Sequence, residues 1–251
     1  MRHPRCRLRP DPLYLTPNSP ALPGLNKKRK DIEMKNNCSV TTQPIGGNKK
    51  DLLHFTRDMA KFTAALKVRG VDHQSELIKL LNQVCPRKRR CDVFSDFVAV
   101  SALCLSVAAD QESRRERIDE YSQIVARYTE DDVERFARAL AHVSGGLAVG
   151  FCDFLGDAFM AMNLENHQQG QFFTPFDLSL LNAELQLNSV REHCERNGFA
   201  TFHDPCVGAG SMLIACAKVM RDKGLNYQKQ MHVVAIDIDI ALVHMAYVQF
   251  S

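Results

Sequence analysis

The sequence predicts an α/β unit in its C-terminal third, preceded by an all-helical domain and a disordered tail. The α/β unit is indicated by the order strand, glycine-rich turn, helix, strand: a short strand over 201–204, a helix over about 211–221 and an apolar run over 232–238. Such a run is typical of a buried parallel strand, and the order is that of a β-α-β unit. The helical domain is indicated by apolar residues at steps of three and four from Asp51 onward. We therefore divide the chain into 1–50, 51–163 and 164–251.

Residues 1–50 have the composition of a disordered tail. They hold seven of the ten prolines and 11 of the 32 Lys and Arg residues, against 3 of the 29 Asp and Glu residues. A segment rich in proline and net charge does not bury enough apolar surface to fold. Met34 is a second candidate start for translation, so we hypothesise that residues 1–33 are absent from the working protein; peptides from before Met34 in native protein would contradict this.

Five further helices are predicted after the first, at about 74–84, 92–109, 111–127, 131–143 and 147–163. Asp110 and Asp131 are predicted to cap two of them, because a short acidic side chain can accept a hydrogen bond from the first helical turn. The pair Gly145-Gly146 is predicted to break the chain between the last two. After a polar loop, another helix extends to about Arg196 and leads into the α/β unit.

Composition excludes several classes of protein. No apolar stretch reaches the roughly 20 residues of a membrane-spanning helix, and no secretory signal is visible, so we expect a soluble cytoplasmic protein. The nine cysteines form no Cys-x-x-Cys pair, so we expect neither disulfides nor a metal site. The net charge is +3, but residues 51–251 hold 21 basic and 26 acidic side chains, a net of −5 that does not indicate a nucleic-acid surface. The basic run 87–90 is interpreted as solvated surface, with contact to DNA phosphates as the alternative.

The most specific local pattern is the segment Asp204–Ser211, Asp-Pro-Cys-Val-Gly-Ala-Gly-Ser, at the junction of the predicted strand and helix. Gly208 and Gly210 would let the backbone approach a ligand, and the helix behind them offers free N–H groups. The third glycine of a dinucleotide-binding Gly-x-Gly-x-x-Gly pattern is missing, because Leu213 stands there. By itself the pattern fits a tight turn as well as a nucleotide site.

An acidic residue follows the second predicted strand. Asp237 comes 27 residues after Gly210, near the spacing at which an acidic side chain accepts hydrogen bonds from ribose hydroxyls. A solvated strand end is the alternative for Asp237. Asp239 is interpreted as the cap of the helix that starts at Ile240. The glycine-rich turn and Asp237 together predict a nucleotide-binding site.

Three segments, in the family's order, resemble the motifs of N6-adenine DNA methylases, especially the modification subunits of type I restriction systems. Gly170–Pro175 reads Gly-Gln-Phe-Phe-Thr-Pro and resembles the family's Gly-Gln-aromatic-aromatic-Thr-Pro motif. Asp204–Ser211 resembles its Asp-Pro-x-Cys-Gly-Ser-Gly-Gly motif, although the cysteine stands one position early and an alanine and a serine replace small residues of the commonest form. Ala235–Asp237 resembles its acidic strand end.

The resemblance implies an incomplete, Rossmann-like methyltransferase unit that binds S-adenosyl-L-methionine (AdoMet). The aromatic segment would line the methionine end of AdoMet, Asp204 would face its amino group, the glycines would pack beneath it and Asp237 would bind its ribose. An acidic and aromatic pocket suits a sulfonium cation, whereas a helix N-terminus alone would favour a diphosphate. The candidate cofactor-binding residues are Gln171, Phe172, Phe173, Thr174, Pro175, Asp204, Cys206, Gly208, Gly210 and Asp237.

The implied activity is transfer of a methyl group from AdoMet to adenine N6 in double-stranded DNA, as in restriction-modification systems. Such enzymes hold a flipped base with Asn, Asp or Ser followed by Pro-Pro and an aromatic residue, and the sequence contains no Pro-Pro dipeptide. Because the sequence ends at Ser251, near the second helix of the unit, we expect a cofactor site without an identifiable catalytic residue. A missing C-terminal half or a specificity subunit would be the partner.

Two other functions stay open at this point. A non-catalytic, AdoMet-binding or DNA-associated accessory protein would account for the missing catalytic motif. An NAD-dependent oxidoreductase would use the Gly-x-Gly turn, but the absent third glycine and the Gly-Gln-Phe-Phe-Thr-Pro segment disfavour it.

Overall fold

The structure is a computed structural model that describes residues 13–15, 49–65, 70–109, 114–164 and 173–251 of the chain. Within these ranges helices predominate. Those of the N-terminal part are α1 (Lys49–Ala65), α2 (His73–Gln83), α3 (Arg90–Ala109), α4 (Arg114–Val125), α5 (Glu130–Val149) and α6 (Phe154–Ala161). Those of the C-terminal part are α7 (Phe176–Asn197), α8 (Ser211–Asp222), α9 (Tyr227–Gln230) and α10 (Ile240–Phe250). The strands are β1 (Leu13–Leu15), β2 (Ala200–Asp204) and β3 (Met231–Ala235).

Helix α3 is buried because it is apolar on nearly all sides. Val93, Phe94 and Phe97 are fully buried, and α3 packs against both α4 and α10. A helix without a polar face is stable in water only when other elements cover it. The helices predicted between residues 51 and 143 are present with shifted ends, while the predicted cap Asp110 lies outside the described residues.

The predicted break at Gly145-Gly146 is wrong, because α5 continues through both glycines to Val149. The two glycines allow close packing instead. A Cβ on Gly145 would lie 2.5 Å from the ring of His73, and a Cβ on Gly146 would lie 2.2 Å from the ring of Phe154. Their missing side chains therefore let the neighbouring rings approach the backbone of α5, at some cost in helix propensity.

Two helix starts differ from the prediction. Thr129, not Asp131, caps α5: its side chain accepts a hydrogen bond from the Asp132 N–H, and the Asp132 carboxylate accepts one from the Thr129 N–H. Asp153 caps α6, so the single helix predicted over 147–163 is in fact the end of α5 followed by α6. Helix periodicity located both segments, but side-chain capping decided their ends.

Strands β2 and β3 are parallel, with Ala200 opposite Met231 and Asp204 opposite Ala235. β1 pairs with the other edge of β3 and is antiparallel to it. β1 lies in the predicted disordered tail, most of which is outside the described residues. β3 ends at Ala235 rather than at the predicted residue 238, so Asp237 lies in the loop that follows the strand.

The predicted β-α-β unit is present as β2, α8 and β3. The sequence did not predict the short helix α9, which lies between α8 and β3. β2 and β3 are the only parallel pair in the part of the chain that the structure describes. The larger Rossmann-like sheet that the resemblance implies therefore stays a prediction.

Helix α10 contributes to both hydrophobic cores. Leu242, Met245 and Val248 pack with the residues of α1–α6, whereas Ala246 packs with α8 and the strands. The division of the chain at residue 163 is thus still a prediction. None of the described helices is long and apolar enough to cross a membrane.

Candidate cofactor site

The glycine-rich turn lies between β2 and α8 and requires glycine at both predicted positions. Gly208 has φ 54° and Gly210 has φ 102°, which is the left-handed region that residues with a Cβ rarely adopt. A Cβ on Gly210 would also lie 3.4 Å from the Cβ of Ala246, so this glycine lets α10 pack against the turn. The Gly210 N–H donates to the Val207 carbonyl at 2.9 Å and closes the turn.

Asp237 holds the turn from the side of β3. Its Oδ2 accepts a hydrogen bond from the Gly208 N–H at 2.9 Å, and its Oδ1 accepts one from the Asp239 N–H at 3.0 Å. Each carboxylate oxygen has a second lone pair, so the half-buried side chain can still accept hydrogen bonds from ligand hydroxyls. Asp239 caps α10 as predicted, because its Oδ1 accepts a hydrogen bond from the Ala241 N–H at 2.9 Å.

Phe173 brings the aromatic segment to the same turn. A Cβ on Gly208 would lie 3.5 Å from the Phe173 ring, and this ring packs edge-on against Phe159, with 5.5 Å between the centroids. Thr174 and Pro175 are exposed immediately before α7. The remaining residues of the motif lie outside the described part of the chain: Gly170, Gln171 and Phe172.

Two buried serines join the start of α7 to the start of α8. The hydroxyls of Ser179 and Ser211 lie 3.0 Å apart, and the Ser211 hydroxyl also donates to the Thr174 carbonyl at 3.4 Å. The serine that departs from the family's commonest motif therefore links the aromatic segment to the glycine-rich turn.

Asp204 and Asp237 give this end of the sheet an acidic character. The Asp204 Oδ1 accepts a hydrogen bond from the N–H of Cys206 at 3.0 Å, and the Cys206 thiol is free and exposed. Asp204 is the last residue of β2, and Asp237 lies two residues after the end of the adjacent parallel strand β3. Neither carboxylate forms an ion pair with a residue of the described ranges. Unneutralised carboxylates at one edge attract a cationic ligand more strongly than an anionic one.

Two features of the site were not found in the sequence. Ile238, immediately after Asp237, is 100% exposed although it is apolar. Gln249 of α10 donates to the carbonyl of Ala209, between the two turn glycines, at 2.8 Å. The position of Ile238 directly after the acidic strand end could have marked it as a candidate site residue. No local pattern in the sequence connects Gln249 to a turn 40 residues away.

The basic run 87–90 is largely engaged within the protein. Lys88 forms an ion pair with Asp96 at 3.2 Å, and Arg89 forms one with Asp92 at 2.8 Å. Arg90 donates to four backbone carbonyls around the end of α2. These contacts favour a structural role for the run over binding to DNA phosphates.

A pocket of about 430 Å³ opens beside β2 rather than over the turn. It is lined by α7, β2 and the first turns of α8, including Asn182, His193 and Met212. The turn glycines and Asp237 do not line it. We place the candidate cofactor site at the turn because the sequence motifs converge there.

Comparison with known protein families assigns the C-terminal part of the chain. The family model described as N-6 DNA Methylase matches residues 152–249. This segment of the chain is thus similar to the N-6 DNA methylase family. The matched segment includes the aromatic motif, the glycine-rich turn and Asp237, and it begins one residue before Asp153. No curated protein and no solved structure matches the chain, and the described residues contain no group of three or more His, Cys, Asp or Glu that could hold a metal ion.

Proposed function

We propose that this chain binds AdoMet at the glycine-rich turn and serves the methylation of adenine N6 in DNA. The observation that supports the proposal best is the 2.9 Å hydrogen bond from the Gly208 N–H to Asp237 Oδ2, because it joins two motifs that are far apart in the sequence. Phe173 brings the third motif to the same place. We assign the remaining motif residues to the site as well: Gln171, Phe172, Thr174, Pro175, Asp204, Cys206 and Gly210.

The chemistry of the described residues fits AdoMet better than a dinucleotide. AdoMet carries positive charge on its sulfonium and amino groups, and the carboxylates of Asp204 and Asp237 stand at the turn without a cationic partner among the described residues. The Phe173 ring offers a face or edge for the cofactor's methionine end. At the position of the third dinucleotide glycine, which allows close packing of helix and strand in dinucleotide-binding folds, this chain has Leu213, buried in the core.

When bound, AdoMet supplies an activated methyl group, and the residues of this chain bind and orient it. The flipped adenine would need an Asn, Asp or Ser followed by Pro-Pro and an aromatic residue, which the sequence does not contain. We therefore propose that residues outside these 251, in a C-terminal half or in a partner subunit, supply this motif in a restriction-modification-like system in the cytoplasm.

Parallel calorimetric titrations with AdoMet and NAD test the cofactor. The chain should bind AdoMet and show no heat with NAD at the same concentrations. Binding of NAD, or no binding of AdoMet by folded protein, would contradict the proposal.

The Asp237→Ala variant tests the ribose contact. Loss of a hydrogen bond to a charged group costs on the order of 1.5 to 3 kcal/mol, so the dissociation constant for AdoMet should rise at least about tenfold. Because Asp237 also accepts from the Gly208 N–H, the variant should lose some stability, which circular dichroism during thermal unfolding measures.

Asp239→Ala is the matched control. It removes the cap of α10 two residues away and should cost about 1 kcal/mol of stability, while the dissociation constant for AdoMet changes little. Equal losses of AdoMet affinity in the two variants would show that Asp237 acts only through the fold.

A transfer assay tests the second half of the proposal. With tritiated AdoMet and unmethylated DNA, the 251-residue chain alone should give no labelled N6-methyladenine. Label that appears after addition of a polypeptide with an Asn-Pro-Pro-aromatic motif would support the methylase proposal. AdoMet binding without transfer under any such addition would favour the accessory function.

A further inference from the structure

Gln249 connects the glycine-rich turn to the start of α6. Its Nε2 donates to the Ala209 carbonyl at 2.8 Å and to Asp153 Oδ1 at 2.9 Å, while its Oε1 accepts from the Leu155 N–H at 2.9 Å. We infer that Gln249, oriented by Asp153, is a positioning residue that fixes the turn for AdoMet binding. This inference rests on the proposed function.

The turn is held from two sides. On one side the Gly208 N–H donates to Asp237, and on the other the Ala209 carbonyl accepts from Gln249. These groups belong to consecutive residues, and the left-handed conformations of Gly208 and Gly210 leave the turn with little intrinsic preference for one shape. Two side chains from β3's loop and α10 therefore set the direction in which the turn presents its backbone.

Only a carboxamide satisfies all three partners at position 249. Both N–H bonds of the amide are used, on a carbonyl and a carboxylate, and its oxygen meets a backbone N–H. A carboxylate in its place would face Asp153 and the Ala209 carbonyl without a hydrogen to donate. This combination orients the amide uniquely.

Asp153 is itself fixed. It is 3% exposed, and its Oδ1 also accepts from the Gly156 N–H at 3.0 Å as the cap of α6. A Cβ on Gly156 would lie 2.3 Å from Asp153 Oδ2, so glycine there makes room for the carboxylate. Burial raises the pKa of the Asp153 carboxyl, while the bonds from Gln249 and Gly156 oppose that shift.

The hydrogen bonds of Gln249 connect the candidate cofactor site to residues that precede the α/β unit in the sequence. Asp153 and Leu155 lie in the segment that the sequence assigned to the helical domain, and Gln249 lies at the end of α10. The match to the methylase family also begins at residue 152. The start of α6 is therefore part of the machinery that shapes the turn.

Three variants separate positioning from simple stabilisation. Gln249→Met keeps the side-chain length and removes all three hydrogen bonds. Gln249→Glu keeps the acceptor for Leu155 but opposes Asp153. In the double variant Asp153→Asn with Gln249→Glu, the carboxamide nitrogen at position 153 can take the place of Oδ1 and donate to the new carboxylate at position 249, with loss of the cap bond from the Gly156 N–H. The double variant thus removes the repulsion between two carboxylates and restores a bond between α6 and α10, while the Ala209 carbonyl still lacks its donor.

Calorimetric AdoMet titration and thermal unfolding are measured for each variant. For Gln249→Met we expect a dissociation constant at least about tenfold higher, since a small misplacement of a binding group has a large effect. For Gln249→Glu the AdoMet affinity should increase as the pH falls, because the protonated carboxyl can again donate. Relative to Gln249→Glu alone, the double variant should recover part of the lost melting temperature and keep the weak AdoMet binding, the rest of the loss reflecting the missing cap of α6.

The outcomes are distinguishable from failure of the proposed function. If the wild-type chain does not bind AdoMet, both proposals are wrong. If the wild type binds and a folded Gln249→Met variant binds equally well, only the positioning role is wrong. Wild-type affinity in the double variant would likewise reject the bond to Ala209 and leave Gln249 as a purely structural joint.

Discussion

Ile238 is fully exposed although it directly follows the candidate ribose-binding residue Asp237. A single exposed apolar side chain is common on protein surfaces, but at the mouth of a nucleoside site it can cover the apolar face of a purine. We expect Ile238→Ala to weaken AdoMet binding by about 1 kcal/mol, or roughly fivefold, through lost apolar contact. Calorimetric titration measures this change, and the melting temperature should stay the same because the side chain packs on nothing.

Leu185→Ala provides the control for Ile238. Leu185 in the middle of α7 is 77% exposed and belongs to none of the three motifs. Its truncation removes a similar apolar area and should leave the AdoMet dissociation constant unchanged. Equal effects of the two substitutions on AdoMet binding would remove Ile238 from the site.

At the scale of elements, two glycine substitutions separate the contribution of α10 packing on the turn to stability from the cost of a left-handed backbone conformation. Gly210→Ala combines a left-handed φ with a Cβ 3.4 Å from Ala246, whereas Gly198→Ala has φ 83° and no neighbour within 4 Å. The left-handed conformation costs roughly 1 to 2 kcal/mol in each. We expect Gly210→Ala to be the more destabilising, measured by urea unfolding, because α10 must also move.

AdoMet binding extends this comparison. Gly210→Ala should weaken the binding of AdoMet, and Gly198→Ala, at the end of α7, should not. If both variants lose the same stability and bind AdoMet equally, the contact between α10 and the turn has no influence on the site.

The sequence predicted the strands and helices of the α/β unit better than it predicted the tertiary contacts between elements. The apolar run before Asp237 and the glycines of the turn identified β3 and the β2–α8 junction, because period and residue type are local signals. Gly145 and Gly146 were misinterpreted, since glycine inside a helix indicates a break and close packing alike, and only the rings of His73 and Phe154 distinguish the two. The bond from Gln249 to the turn depends on the tertiary fold, so no pattern in the sequence could predict it.

For the whole molecule, buried histidines make stability depend on pH. His73 and His142 are both buried, with 3.1 Å between their Nδ1 atoms. Burial and the neighbouring His73 lower the pKa of His142, with Arg138 acting in the same direction and Glu76 opposing it. In α10, burial lowers the pKa of His244 to about 4, and Asp239 opposes the shift. The folded chain therefore favours the neutral rings of His142 and His244.

We expect the free energy of unfolding to fall as the pH drops below about 6.5. Below this pH His142 and His244 bind a proton in the unfolded chain, whereas their lowered pKa disfavours protonation in the folded chain. The loss continues down to the folded pKa, about 4 for His244, and that residue alone accounts for roughly 3 kcal/mol. Urea unfolding at a series of pH values between 7 and 4 measures the slope. His244→Gln should flatten it, since the new side chain does not titrate. An equally steep loss of stability in His244→Gln would show that the pH dependence arises elsewhere in the molecule.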